Sequence, residues 1–108
     1  MKERIILNAQ EIDSLLKEFM NLPEDYIHYL SNIGWGETKN GRMIYSGPIS
    51  PNEIYNENFK NKNNIVLLGD DFQGNCLGYD LTNKVYGEVS DFGEWEVWEK
   101  NELLSSYV

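Results

Sequence analysis

The only cysteine and the only histidine of the chain are the first candidates for chemistry. Cys76 and His28 could in principle form a pair in which the imidazole activates the thiol as a nucleophile. Cys76 falls inside a predicted strand, however, where a single cysteine usually behaves as a small core residue. His28 falls within a predicted helix, four residues after Glu24, where it suits an i, i+4 pair. We therefore expect neither residue to be catalytic and the protein not to be an enzyme.

Metal ions and cofactors are equally hard to place on this sequence. One cysteine and one histidine cannot supply the ligands of a structural zinc site. The stretch 70–75, Asp-Asp-Phe-Gln-Gly-Asn, lacks the alternating oxygen ligands and the closing glutamate of a calcium loop. No glycine-rich turn leads into a helix with a Lys-Ser/Thr pair, as a phosphate-binding loop requires. We expect no metal and no cofactor.

A segment near the C-terminus combines carboxylates with large aromatic side chains and is the best candidate for a binding surface. Tryptophan is enriched at binding hot spots, and carboxylates around it suit a basic partner. The alternative is that both tryptophans belong to the core and the acids form a solvated face. On the binding interpretation, the partner-binding residues are Asp91, Glu94, Trp95, Glu96, Trp98 and Glu99.

The balance of charges supports a basic partner. Eighteen acidic and nine basic residues give a net charge of -9. Such a surface repels nucleic-acid backbones and anionic membranes, whereas it attracts basic proteins and speeds encounter with them. Acidity that only keeps the protein soluble is the alternative. We expect a protein partner with a basic surface, no nucleic acid and no membrane, and the charge leaves the oligomeric state open.

Length and composition indicate one domain in a reducing compartment. A chain of 108 residues suits a single domain over residues 1–108. A single cysteine allows no intramolecular disulfide. Residues 1–7 contain only three successive apolar residues, which is too few for the core of a signal peptide. No stretch approaches the roughly 20 apolar residues of a membrane span, so we expect a cytoplasmic protein.

Two helices are predicted in the first third of the chain. Asn8 and Glu11 suit a capping box at the start of the first helix. Its apolar stripe follows at helical spacing: Ile12, Leu15, Leu16 and Phe19. Pro23 suits the first turn of the second helix, and Gly34 is placed to end it in a left-handed conformation. The expected buried face of the second helix consists of Tyr26, Ile27, Leu30 and Ile33.

Strands and turns follow the second helix. The predicted strands are 42–46, 65–68, 75–80 and 85–89. Gly47-Pro48 is expected to close the first of them. The continuous apolar run 65–68 indicates a central strand covered on both faces. Short turns join the last three strands, with Asn83 able to take a positive φ, so we expect an antiparallel meander.

The remaining elements are short. Pro51 suits the start of a helix over 51–55, and 56–64 is asparagine-rich and predicted to be an exposed loop. Segment 94–99 fits a strand, with Trp95 and Val97 on one face, but it also fits a helix; we prefer the strand because tryptophan and valine favour it. Asn101 is expected to cap a final short helix that carries Leu103, Leu104 and Tyr107.

Several motifs of the chain resemble, in their order and spacing, those of the SUKH superfamily of Smi/Knr-type domains. The opening motif is Leu-Pro-Glu-Asp-Tyr at 22–26, followed by Ile-Gly-Trp-Gly at 33–36. A glycine-Asp turn then lies between two strands, 65–70 and 74–80, and the second strand ends in Asp80. The strand at 85–89 and the end segment 103–107 are similar to the elements that follow in the family. The resemblance covers roughly residues 12–107.

This resemblance implies an α+β fold, with N-terminal helices packed on an antiparallel meander and a short C-terminal helix. Many bacterial members are immunity proteins encoded beside polymorphic toxins, which are often nucleases. The resemblance therefore implies a protein that binds and neutralises a cognate toxin in a stoichiometric complex. Fungal members regulate cell-wall assembly and signalling. The alternative is a regulatory or scaffolding module that binds an endogenous protein and is unrelated to toxins. No toxin-contact residue carries over by motif.

Overall fold

A computed structural model describes residues 5–51, 64–98 and 103–108 of the chain. Within these ranges the helices are α1 (Ala9–Glu18) and α2 (Glu24–Asn32), and a 3-10 helix covers Leu104–Ser106. The strands are β1 (Gly36–Glu37), β2 (Met43–Ile49), β3 (Ile65–Asp70), β4 (Cys76–Asp80), β5 (Val85–Val89) and β6 (Trp95–Val97).

The six strands form one antiparallel sheet in the order β1-β2-β3-β4-β5-β6. Each strand therefore pairs with its neighbours in the chain, as in a meander. The α+β class expected from the sequence is confirmed. The C-terminal helix is only a 3-10 turn, which begins after Leu103. The predicted helix over 51–55 falls largely, and the predicted capping residue Asn101 entirely, outside the described residues.

The predicted helix ends are set by local chemistry. The Asn8 side chain accepts a hydrogen bond from the Glu11 amide at 2.9 Å, and the Glu11 carboxylate accepts one from the Asn8 amide at 3.0 Å. The capping box is therefore confirmed. Gly34 has a φ of +99°, as predicted, and a Cβ there would lie 2.6 Å from the Ile5 carbonyl carbon. Pro23 is the N-cap of α2, one residue before the predicted first turn.

The helix-side face of the sheet carries the larger buried cluster. Tyr26, Tyr29 and Leu30 of α2 are buried there together with Val66 and Leu68 of β3. From α1 the cluster is joined by half-buried side chains, namely Ile12, Leu15 and Phe19.

Two residues of the predicted helical stripes are exposed instead. Ile33 was expected to be buried, but α2 ends at Asn32, so Ile33 lies past the last helical turn and is 47% exposed. Leu16 is 45% exposed because the buried stripe of α1 is narrower than predicted.

The central strand is covered on both faces, as the apolar run predicted. Val66 and Leu68 point toward the helices, whereas Ile65 and Leu67 point away from them into a second cluster with Cys76 and Val89. The five residues from Ile65 to Gly69 are all buried. We call the face that carries this second cluster the outer face.

Two predictions about turns were wrong. Gly47-Pro48 does not close a strand, because β2 continues to Ile49. The β2–β3 register shifts between Ile44 and Ile49, and such irregularities accommodate a proline that cannot donate to the ladder. Lys84, not Asn83, takes the positive φ of the β4–β5 turn. The Asn83 amide and side chain instead both donate to the Asp80 carboxylate.

One carboxylate ties α2 to the sheet and to the C-terminal segment. Asp25 Oδ1 accepts hydrogen bonds from the Tyr86 hydroxyl at 2.6 Å and from the Tyr26 amide at 3.0 Å. Asp25 Oδ2 accepts one from the Leu104 amide at 2.9 Å. The resemblance motif at 22–26 therefore includes a residue with a clear structural role. Over the part of the chain described, no helix has the length and apolar character needed to cross a membrane.

The buried position of Leu68 gives a test of the fold. We expect Leu68→Ala to lower the free energy of unfolding by about 2–5 kcal/mol, because it removes buried methyl groups and leaves a cavity. Val97→Ala is the matched control, since Val97 is 54% exposed on β6. Chemical denaturation measures both. A loss below about 0.5 kcal/mol at Leu68 would contradict the assignment of β3 as the central strand.

Candidate functional site

Alternate turns of a meander lie at the same end of its sheet, and here that end gathers residues distant in sequence. The β1–β2, β3–β4 and β5–β6 turns all lie there. The last two are in contact, since the Asp91 amide donates to Asn75 Oδ1 at 3.1 Å. We call the β3–β4 and β5–β6 turns, residues 71–75 and 90–94, the turn edge.

The β3–β4 turn is held by its own acidic side chains. The Asp71 carboxylate accepts hydrogen bonds from the Gln73 amide at 2.8 Å and from the Asn75 side chain at 2.9 Å. Burial opposes ionisation of Asp71, but these hydrogen bonds lower its pKa below the ordinary value. Asp70 accepts from the Phe72 amide at 3.0 Å. Phe72 is thereby fixed with a φ of +64° and a ring that is 57% exposed.

The β5–β6 turn is held in the same manner. Ser90 Oγ accepts hydrogen bonds from the Phe92 amide at 3.3 Å and the Glu94 amide at 3.2 Å. The Ser90 carbonyl also accepts from the Gly93 amide at 2.8 Å. Phe92 at the tip is 83% exposed. Each of the two contacting turns therefore displays a phenylalanine ring on an ordered backbone.

Trp95 lies on the outer face and is packed against the sheet. Its ring covers Gly78 and Gly87, which face each other across β4 and β5. A Cβ at Gly78 would lie 2.7 Å from Trp95 Cζ3, and one at Gly87 would lie 2.5 Å from Cη2. Only glycine leaves room for the indole at these two positions. Trp95 is half-buried and adds to the cluster around Ile65.

Trp98 lies on the opposite, helix-side face. Its ring centroid is 5.7 Å from that of Tyr86 and 6.1 Å from that of Tyr107. Alternation along β6 puts Glu94 and Glu96 on the same side as Trp98. Both predicted hot-spot tryptophans are therefore half-buried and packed against the body of the domain, whereas Glu94 and Glu96 are exposed.

The acids of β5 and β6 border an open groove. Glu88 lies directly opposite Glu96 in the β5–β6 ladder. The groove has a volume of about 420 Å³ and is lined by Asn75, Glu88, Ser90, Glu94, Trp95 and Glu96. Burial, together with the charges of Asp71 and Glu96, raises the pKa of Glu88, although Arg42 opposes the shift. The groove therefore concentrates negative potential.

The nearby Arg42 is already engaged by the C-terminal segment. Its Nη1 donates to the Tyr107 carbonyl at 2.6 Å, and its guanidinium lies 4.5 Å from the centroid of the Tyr107 ring. Within the described part of the chain, the side chains of Glu88, Glu94 and Glu96 have no hydrogen-bond or ion-pair partner. Arg42 therefore offsets the negative potential of the groove only at a distance.

The predicted site residues are partly brought together. Asp91, Glu94 and Glu96 are exposed at or beside the turn edge, and Glu99 lies outside the described residues. Sequence reasoning missed Glu88 and Phe72 and did not single out Phe92 as an anchor. A signal for the rings was present, because both turns contain Asp-Phe, at 71–72 and at 91–92, and alternate turns of a meander share one end.

The alternative catalytic pair is not assembled. His28 is exposed on α2, where its Nδ1 lies 3.2 Å from Asn32 Nδ2. Cys76 is buried in the outer-face cluster, whereas α2 packs on the other face. Among the described residues, no group of three or more His, Cys, Asp or Glu side chains could hold a metal ion.

This arrangement offers two exposed phenylalanine rings, carboxylates that have no basic partner among the described residues, and an open groove of a size that suits contacts with a macromolecular surface. No protein-family model matches the chain, and no curated protein or solved structure shows significant similarity to it.

The contact between Trp95 and the two glycines can be tested by substitution. We expect Gly78→Ala to destabilise the domain by about 1–3 kcal/mol, because the new methyl group meets the Trp95 ring at 2.7 Å and displaces the indole. Gly47→Ala is the control, since a Cβ there meets only the end of the Leu15 side chain, at 3.1 Å. Chemical denaturation followed by tryptophan fluorescence measures both. Equal stability of the two variants would contradict the packing of Trp95.

Because the pKa of Glu88 is raised, ionisation of Glu88 lowers the free energy of unfolding, and this loss depends on pH. The unfolded chain loses this proton at a lower pH than the folded protein, so stability falls as pH rises from the unfolded pKa through the folded pKa. Glu88→Gln should therefore raise the melting temperature at pH 7 and have little effect below the ordinary glutamate pKa of about 4.3. Asp13→Asn, on the exposed face of α1, is the control for loss of one charge. A gain that is independent of pH would contradict this origin.

Proposed function

We propose that the protein is a stoichiometric inhibitor that binds a cognate basic toxin, and that it docks through the turn edge and the acidic groove beside it. The observation that carries this proposal is the display of Phe72 and Phe92 on two contacting, hydrogen-bonded turns. Ordering these turns costs nothing further on binding, because their own side chains already hold them.

At this end of the sheet, the aromatic rings and the carboxylates would contribute to binding in different ways. A buried aromatic anchor at the centre of an interface contributes about 2 kcal/mol or more. Exposed carboxylates mainly accelerate encounter and select partners by sign. The net charge of -9 adds a long-range attraction for a basic surface. A nuclease is a fitting target, because its nucleic-acid groove presents basic groups.

The proposal of an immunity role takes its biological setting from the resemblance to the SUKH superfamily. The protein would act in the cytoplasm, where it occludes the toxin before damage occurs. The mode of action needs no catalytic group of its own. Neutralisation should therefore survive the double change Cys76→Ser and His28→Ala.

The direct test is co-purification with the product of the adjacent gene, together with rescue of growth when that product is expressed. Binding and rescue would support the immunity role. Binding to a housekeeping protein, with no toxin encoded nearby, would favour the regulatory or scaffolding alternative. A chain with no toxin-like neighbour and no protein partner would overturn the proposal.

The role of the acids is tested by charge reversal with a matched control. We expect Glu94→Lys with Glu96→Lys to slow association with the partner and to weaken its dependence on salt, because rim charges act on encounter. Asp13→Lys with Glu18→Lys changes the net charge equally but on α1, and both positions are exposed. Equal effects of the two pairs on association would show that only net charge matters.

The role of the aromatic tip is tested separately. Phe92→Ala should accelerate dissociation by about 30-fold, which corresponds to an anchor worth 2 kcal/mol, and should leave the melting temperature unchanged because the ring is 83% exposed. Met20→Ala, at a position 76% exposed beyond α1, is the control. Unchanged dissociation in the Phe92 variant would remove this ring from the interface.

A further inference from the structure

Strand β6 ends the sheet, and within residues 5–51, 64–98 and 103–108 its far edge is not paired with another strand. In the β5–β6 ladder, the Ser90 amide donates to the Glu94 carbonyl, and the Trp98 amide donates to the Tyr86 carbonyl. Residues of an antiparallel strand direct their main-chain groups alternately to the two sides. Glu94, Glu96 and Trp98 therefore direct theirs toward β5, and Trp95 and Val97 direct theirs away from it.

The two edges of the sheet differ in this respect. Next to β1, the amides and carbonyls of Ile5 and Trp35 pair at 3.0 and 3.2 Å, so the chain covers that edge locally. At the edge of β6 that faces away from β5, the described residues contribute no strand, and no described residue hydrogen-bonds there to the main chain of Trp95 or Val97. An open edge of this kind is a template for another strand.

The two faces of β6 define what a strand added there would meet. On the helix-side face it would run beside Glu94 and Glu96, which are exposed. On the outer face it would run beside Trp95, which is half-buried, and Val97, which is 54% exposed. A complementary segment therefore alternates basic and apolar residues, with the basic ones facing the carboxylates.

We propose that β6 accepts an extended segment of the basic partner as an additional, antiparallel strand in which Lys or Arg alternates with apolar residues. This inference rests on the proposed function and names the mode of binding. The main-chain groups of Trp95 and Val97 supply the hydrogen bonds of the new ladder. The groove lined by Glu88 and Glu96 receives the basic side chains. The indole of Trp95, seated on Gly78 and Gly87, holds β6 in place before the segment arrives.

The register predicts which amides of the incoming segment matter. Residues opposite each other in an antiparallel ladder share a face, and a hydrogen-bonded pair exchanges both bonds. The residues opposite Trp95 and Val97 lie on the outer face, so they are the apolar ones. The apolar residues of the segment therefore donate to β6, and its basic residues direct their amides away from β6.

A synthetic peptide of alternating lysine and valine, blocked at both ends, tests this arrangement on the full chain. N-methylation of the valines should weaken binding at least about tenfold, since it removes the donors to β6, whereas N-methylation of the lysines should be tolerated. A peptide of the same composition with its lysines in one block is the control for charge. In amide exchange, Trp95 and Val97 should become protected on binding, while Glu96 and Trp98 should be protected already.

A substitution in β6 extends the test to the partner itself. Val97→Pro removes only an outward amide, so the β5–β6 ladder should survive, and binding of both peptide and partner should be lost. Val97→Thr keeps that amide and should bind normally. If the proline variant does not fold, binding of the N-methylated peptides to the unchanged protein still tests strand addition to β6.

The outcomes separate this inference from the proposed function. Equal binding of the two N-methylated peptides, no binding above the block-lysine control, or normal partner binding by a folded Val97→Pro variant would overturn strand addition. The turn edge would still stand as the docking site if Phe92→Ala accelerated dissociation of the partner. Failure to find any partner would overturn the proposed function instead.

Discussion

The contact of the Trp95 indole with Gly78 and Gly87 is the constraint on which the position of β6 and of its carboxylates depends. Strand β6 has only three residues, and so short an edge strand gains little from ladder hydrogen bonds alone. The indole adds apolar burial on the outer face and fixes which way the strand faces. Because side chains alternate, this one contact sends Glu94 and Glu96 to the other face. Two small residues on neighbouring strands thereby determine where the carboxylates lie.

The ionised Glu88 carboxylate, which lies beside β6, destabilises the folded domain. Burial and neighbouring acids raise the pKa of Glu88, so the ionised carboxylate is held against its preference. Arg42 could offset this cost more fully, but its guanidinium is directed to the Tyr107 carbonyl and ring. Carboxylates whose pKa is perturbed by burial and by neighbouring charges cluster at functional sites. A basic partner would provide the missing compensation.

The fold was predictable where the signal was local. The capping box of Asn8 and Glu11 and the left-handed Gly34 each depend on a few adjacent residues, and the run 65–68 needs burial on both faces whatever its partners. Prediction failed where distant pairing decides. Gly47-Pro48 lies inside β2 because the register against β3 shifts there. No residue near Gly47 in the sequence indicates that shift in register.

The candidate site also shows that local signals are predictable from the sequence and distant pairing is not. Composition drew attention to Trp95 and Trp98, yet both side chains are packed, and among the described residues the exposed phenylalanine rings are those of Phe72 and Phe92. Glu88 joins Glu96 only through the β5–β6 register, which the sequence pattern of either strand does not specify. The turns were more informative than the strands. In each turn, an Asp or Ser side chain accepts a hydrogen bond from the Phe amide, which fixes the backbone while it leaves the ring exposed. A ring held in this way loses little entropy on binding, so aromatic residues in side-chain-stabilised turns are better interface candidates than aromatic residues in strands.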